Sequence, residues 1–139
     1  MRPKTDWKGC PVRYAAALLG DPWTLVLLRD LLFRDRHYFR EFLTEELPAT
    51  NVLSDRLKNL EAAGILRRQR DPHRGNQVHY GLTPKGVALV PMFLAMIDWA
   101  ARHDAETEAP AGFLAAYRAN PVAFAAELAS DLAKTQMPE

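Results

Sequence analysis

Residues 50–86 read TNVLSDRLKNLEAAGILRRQRDPHRGNQVHYGLTPKG, and the fold turns on them. Leu53, Leu57 and Leu60 recur at spacings of four and three, one apolar stripe of a helix that Thr50 is expected to cap and Gly64 to end. On a helical wheel Asn51, Asp55, Lys58 and Ala62 lie opposite that stripe, with Ser54 and Asn59 beside them. The segments ILRRQR and QVHYGL flank DPHRGN, whose Asp, Pro, Gly and Asn are turn formers, so a two-stranded hairpin is predicted. Val78, Tyr80 and Leu82 alternate toward one of its faces. The stretch also concentrates charge: seven Lys/Arg against three acids, a net of +4, in a chain whose formal net charge is +1. Residues 104–139 offset it with six acids and two bases. A basic middle of this kind fits an anionic partner. Strand alternation means that Arg67, Arg68, Arg70 and Arg74 do not all point one way, and some could pair with the acidic tail instead.

Working outward, Cys10-Pro11 and Asp21-Pro22 are helix entries, with proline where its missing N–H costs nothing. The first helix runs to Gly20. The second, WTLVLLRDLLF, is apolar nearly all round and should be the central core helix. RDRHYF is a short break with room for one brief strand, and REFLTEELP a third helix ended by Pro48. After the hairpin, Thr83-Pro84 opens a long helix to about Asp104, with a kink expected at Pro91. Ala109-Pro110 and Asn120-Pro121 punctuate one or two alanine-rich helices.

With 139 residues and 48% hydrophobic composition, one compact domain is expected. The single cysteine, Cys10, excludes an intrachain disulfide and a CxxC metal clamp, and the four histidines show no ligand pairing. No nucleophile elbow, glycine-rich phosphate loop or paired-carboxylate spacing is present, which speaks against an enzyme. The composition calls for no cofactor and no metal. The N-terminal stretch lacks a signal-peptide pattern, and the longest apolar run, GVALVPMFLAMI, falls short of the ~20 residues of a spanning helix. A cytoplasmic protein with no membrane partner is therefore expected.

Three helices, a fourth with a polar face, then a hairpin is the order of a winged helix-turn-helix. There the fourth helix enters a major groove about 12 Å wide and the hairpin arginines meet phosphates or a minor groove. This makes Thr50, Asn51, Ser54, Asp55, Lys58 and Asn59 of the helix, and Arg68, Arg70 and Arg74 of the hairpin, the candidate contacts to double-stranded DNA. The alternative is a winged-helix module for protein–protein contact, with the same polar face merely solvated.

The sequence resembles the HxlR-type, MarR-related winged-helix transcriptional regulators of bacteria. The likeness rests on Cys10-Pro11-Val12, Trp23-Thr24-Leu25 with Leu27, Leu28, Arg29, Asp30 and Leu31, and then Phe39, Glu41 and Phe42. It continues through the run from Thr50 to Leu57, Leu60-Glu61, Gly64-Ile65, Val78-His79-Tyr80, Leu82-Thr83, Lys85-Gly86, Pro91 and Trp99, covering roughly residues 8–103. Where the family usually has a glycine and basic residues before the third helix, this chain has Arg34-Asp35-Arg36-His37. The resemblance implies a mainly α fold with a small β-hairpin, a long dimerisation helix and a C-terminal helical extension. The expected division is a winged helix-turn-helix unit over residues 1–104 and an acidic extension over 105–139 packed on it. It further implies a homodimer on an inverted-repeat operator, with Trp7, Val12, Leu89, Phe93, Ile97 and Trp99 in the seam. A small-molecule or oxidant effector is also implied. Some relatives sense oxidants or electrophiles at the Cys-Pro-Val position. Cys10, at the positive end of a helix that favours a thiolate, is either such a switch or a small residue packed in the seam.

Overall fold

The structure is a computed structural model and describes residues 9–43 and 49–138. The element order is α1 (Pro11–Leu19), α2 (Pro22–Phe33), α3 (Phe39–Phe42), α4 (Thr50–Ala62), β1 (Leu66–Asp71), β2 (Gln77–Leu82), α5 (Pro84–Val87), α6 (Val90–His103), α7 (Phe113–Ala119) and α8 (Pro121–Ala133). The fold is mainly α with one antiparallel hairpin, as expected.

Leu27, Leu28 and Leu31 of α2 are fully buried, so α2 is the central core helix. Leu53, Leu57 and Leu60 of α4 join them with Phe42, Ile65 and Leu82. Asp21 caps α2, its carboxylate accepting from the Thr24 N–H at 2.9 Å. Gly20 ends α1 with an ordinary φ of −73° rather than a left-handed one; a Cβ there would meet the Ala16 carbonyl oxygen at 2.5 Å. Glycine is needed at that position for close approach.

Several expectations change. Thr50 does not cap α4: Ala49 holds that position, with no side-chain capping bond, and Thr50 is already helical. α3 is a single turn whose C-cap, Leu43, is extended (ψ 93°); Pro48 lies outside the described residues. The brief strand expected before α3 is an isolated bridge, Tyr38 to His79. Asp35, in the turn before α3, takes the left-handed φ of +49°. Aspartate tolerates that conformation better than most residues. The long helix is two: α5 ends at Val87, and Pro91 falls in the first turn of α6, where it costs no hydrogen bond. Ala88 and Leu89 form the turn between α5 and α6. Pro84–His103 together span 20 residues of mean hydropathy 1.2, enough by length and composition to cross a membrane and longer than the apolar run considered above. Val90, Phe93 and Leu94 of this segment are buried in the core.

The hairpin register pairs Leu66 with Leu82, Arg68 with Tyr80 and Arg70 with Val78. On the outer edge of β2, the Tyr80 N–H donates to the His37 carbonyl at 2.7 Å and the Leu82 N–H to the Gln136 Oε1 at 3.0 Å. An otherwise unpaired strand edge is thereby closed at two positions. Residues 135–137 cross the sheet at Gly81, where a Cβ would lie 2.0 Å from the Gln136 carbonyl oxygen. The absence of a side chain at Gly81 is what lets the C-terminal segment seat on the wing.

Candidate nucleic-acid interface

The face of α4 is built by burial on one side. With Leu53, Leu57 and Leu60 turned inward, Asn51, Asp55 and Lys58 are left exposed along the opposite side. Thr50, exposed, and Ser54, half-buried, flank this face toward the hairpin. Asn59 is exposed but borders a crevice shared with Ala17, Leu18 and Asp21, on the far side from the hairpin. The structure thus gathers Thr50, Asn51, Ser54, Asp55 and Lys58 on the accessible surface and sets Asn59 toward α1 and α2.

Arg56 is withdrawn from that surface. Its Nε donates to Asp21 Oδ2 at 2.8 Å and its Nη2 to Oδ1 at 3.1 Å, which ties α4 to the start of α2. The Arg56 guanidinium, helped by the Thr24 N–H and hydroxyl against the opposing effect of burial, holds the Asp21 carboxyl at about 2. Asp55 binds the remaining Arg56 nitrogen and so stands fixed in the middle of the exposed face. A carboxylate there repels phosphate and suits the amino group of cytosine.

Alternation splits the wing arginines. Arg68 and Arg70 share one side of β1 and Arg67 the other. Arg68 lies 4.0 Å from Glu61 of α4, a loose exposed pair. Arg70 donates to the Asn76 carbonyl across the turn at 3.3 Å. Arg74 folds back with its guanidinium 3.7 Å from the centre of the Tyr38 ring. None of the three forms an ion pair with the acidic tail among the described residues. Arg102 and Arg118 bind Asp98 instead, at 3.0 and 2.6 Å. The basic residues before α3 are likewise engaged: the buried Asp30 receives Arg29 at 2.9 Å, Arg34 at 3.6 Å and Arg36 at 3.2 Å.

Beneath the hairpin sits a polar cluster that inspection of the sequence missed. His37 and His79 stack with ring centres 4.7 Å apart, and the Tyr38 hydroxyl donates to Asp71. Burial first, and His37 second, push His79 below its ordinary value. Burial and the bond to Asp71 raise the Tyr38 phenol, while that same bond lowers Asp71. The cluster fastens the hairpin to the α2–α3 turn. The only trace of it in the sequence is the pair His37 and His79, too far apart along the chain to be recognised. Among the described residues no group of three or more His, Cys, Asp or Glu is placed to hold a metal.

Of the seam candidates, Val12 and Trp99 are exposed at 68% and 66%. Tyr14 and Met96, on the same two helices, are exposed as well. Leu89 and Ile97 are half-buried, whereas Phe93 is buried inside its own chain, its ring 6.3 Å from that of Phe33. Phe93 therefore belongs to the core and is not free to face a partner. Trp7 lies outside the described residues. Cys10 is half-buried at the N-cap of α1, with no side-chain capping bond.

An amphipathic helix with an exposed polar face, followed by an arginine-bearing hairpin fastened to the helical body, defines a winged helix-turn-helix protein. The chain belongs to the HxlR-like helix-turn-helix family, whose pattern matches residues 18–108. It is 37% identical over 94 residues to the HTH-type transcriptional regulator YodB of Bacillus subtilis, covering 66% of this chain and 82% of YodB. It is 32% identical over 103 residues to an HTH-type transcriptional regulator of Synechocystis sp., sll1512, covering 70% and 75%. The solved structure of the reduced form of YodB superposes with a TM-score of 0.58 at 33% identity, covering 71% of this chain and 98% of YodB. The redox regulator HypR in its reduced form gives 0.59 at 28% identity, covering 67% and 92%. The protein is thus a transcriptional regulator of HxlR type and DNA-binding by family, not an enzyme. The family match ends before α7 and α8, which are additional to it.

Proposed function

We propose that the protein is a cytoplasmic homodimer that binds an inverted-repeat operator, with α4 in the major groove and the hairpin along the backbone. The observation that carries this is the exposed face of Asn51, Asp55 and Lys58 beside a wing bearing Arg68, Arg70 and Arg74. Short polar side chains on α4 read base edges, and the wing arginines neutralise phosphates. Thr50 and Ser54 reach the same groove from the wing side of α4, while Asn59 lies nearest the backbone on the α2 side. The seam is formed by Val12 and Tyr14 of α1 with Met96 and Trp99 of α6, supported by Leu89 and Ile97, because large apolar side chains exposed together on two helices favour a second copy. Residues 1–104 form the DNA-binding and dimerisation unit and 105–139 an extension on it.

Regulation by oxidants or electrophiles is proposed at Cys10. Its support is the N-cap position beside the seam and the resemblance to YodB, which has been solved in reduced, diamide-treated and quinone-bound forms. As the chain's one cysteine, Cys10 can bridge only to its symmetry mate or carry an alkyl, sulfenic or mixed-disulfide adduct.

The test is sedimentation at micromolar concentration together with footprinting on DNA flanking the protein's own gene. A dimer protecting two half-sites about 34 Å apart is expected. A monomer with no footprint on any palindrome refutes the operator proposal. Unchanged operator affinity after diamide or quinone treatment removes Cys10 from regulation.

A further inference from the structure

Between the added helices and the wing lies a cleft of about 800 Å³. One wall is Val87 and Pro91 of α5 and α6; the other is the small-residue side of α8, with Val122 and Ala125. The alanines of α8 leave this space open because their side chains stop at Cβ. The lining is predominantly hydrocarbon, yet Arg67 of β1 and Tyr117 of α7 border it. Among the described residues the half-buried Arg67 has no hydrogen-bond or ion-pair partner, and neither does the Tyr117 hydroxyl. Arg67 thus brings a charge-assisted hydrogen-bond donor, not engaged by another side chain, to the border of an apolar wall.

We propose that this cleft binds an amphipathic organic acid: a flat hydrocarbon or aromatic body against α8 and Pro91, with one carboxylate on Arg67. The size falls within the ~300–1,000 Å³ of small-molecule sites. A single cation in an otherwise apolar lining selects a monoanion over a neutral or polyanionic ligand. One wall of the site, from α7 and α8, lies outside the family match, so the closed cleft is particular to chains carrying this extension. The cleft also touches the wing, through Arg67 and Leu82, and the C-terminal segment, through Gln136, whose Oε1 holds the Leu82 N–H. Occupancy therefore pushes on the strand that carries the proposed DNA contacts, and this coupling rests on the operator proposal. Binding itself does not.

The experiment is calorimetry on the full chain without DNA, using 2-naphthoate, decanoate and the neutral 2-naphthalenemethanol. Saturable binding of one 2-naphthoate per chain is expected, with the alcohol markedly weaker. Arg67→Gln should weaken the two acids about tenfold or more and leave the alcohol unchanged, since a charge-assisted hydrogen bond is lost. Ala126→Phe, at an exposed position on the cleft wall, should block acid and alcohol alike while leaving the melting temperature near that of the parent. The proposal is overturned by non-saturable binding, by equal effects of Arg67→Gln on acid and alcohol, or by a cleft-filled variant that still binds. If Ala126→Phe changes self-association while 2-naphthoate does not bind, the cleft is a face between copies and the proposal also fails. Saturable binding to a protein without operator affinity would uphold the site and refute the operator proposal alone.

Discussion

Replacing Gly81 by alanine tests whether the C-terminal segment is locked onto the wing. The new Cβ would stand 2.0 Å from the Gln136 carbonyl oxygen and 3.1 Å from its carbonyl carbon, so that segment must retreat by more than about 1 Å to reach ordinary contact. Both atoms are backbone, and no rotamer change relieves the clash. Retreat takes Gln136 away from the Leu82 N–H, which it accepts at 3.0 Å. Leaving that buried donor unmet costs about 1–3 kcal/mol, and forcing the segment to stay costs a similar ~1–3 kcal/mol in overpacking. Alanine is better than glycine within a strand by about 0.5–1 kcal/mol. The expected net loss is about 1–2 kcal/mol, read by urea unfolding at fixed protein concentration so that any dimer contribution is constant. In a chain ending at Thr135 the obstruction is gone, and Gly81→Ala should be neutral or stabilising by about 0.5 kcal/mol. The same penalty in both backgrounds, or a loss below about 0.5 kcal/mol in the full chain, would refute the seating of the segment on Gly81.

Arg74→Ala should weaken binding to all DNA sequences and reduce the salt slope by about one unit. Arg74→Lys should restore the slope but not the stacking on Tyr38, which a melting comparison of the two variants separates. Asn51→Ala or Ser54→Ala should cost about 1–3 kcal/mol on the best operator and little on random duplex, measured by competitive binding. Asp21, held at about 2 against an ordinary 3.8, contributes stability that is present above pH ~4 and lost as pH falls through about 2. The stability difference between the parent and Asp21→Asn should accordingly shrink over that interval. His79 adds to the loss in acid at a higher pH: with its folded value lowered, the unfolded chain binds the proton more readily, so stability falls as pH drops below about 6.5. His37, Asp71, Glu41 and Arg67 all act on it, and His79→Gln should flatten thermal melts recorded between pH 5 and 8.

The sequence alone determined the elements whose causes are local. The leucine spacing of α4, the proline entries at Pro11, Pro22, Pro84 and Pro121, and the turn chemistry of DPHRGN each act within a few residues. Period and punctuation therefore locate the helices, the hairpin and the exposed face of Asn51, Asp55 and Lys58. Boundaries that depend on one backbone angle were less legible, as the shift of the α4 cap from Thr50 to Ala49 and the break at Ala88-Leu89 show. What only the tertiary structure decided are contacts between distant residues. The sequence shows a run of arginines, but the fold sends Arg74 onto Tyr38, leaves Arg67 at the cleft and sets Arg68 near Glu61. Phe93 has the spacing of a seam residue and is claimed by Phe33 of its own core. His37 meets His79, and Gln136 meets Leu82 across 54 residues of chain, because strand pairing and helix packing bring those segments together. No periodicity encodes such meetings, since each depends on where every other element has come to rest.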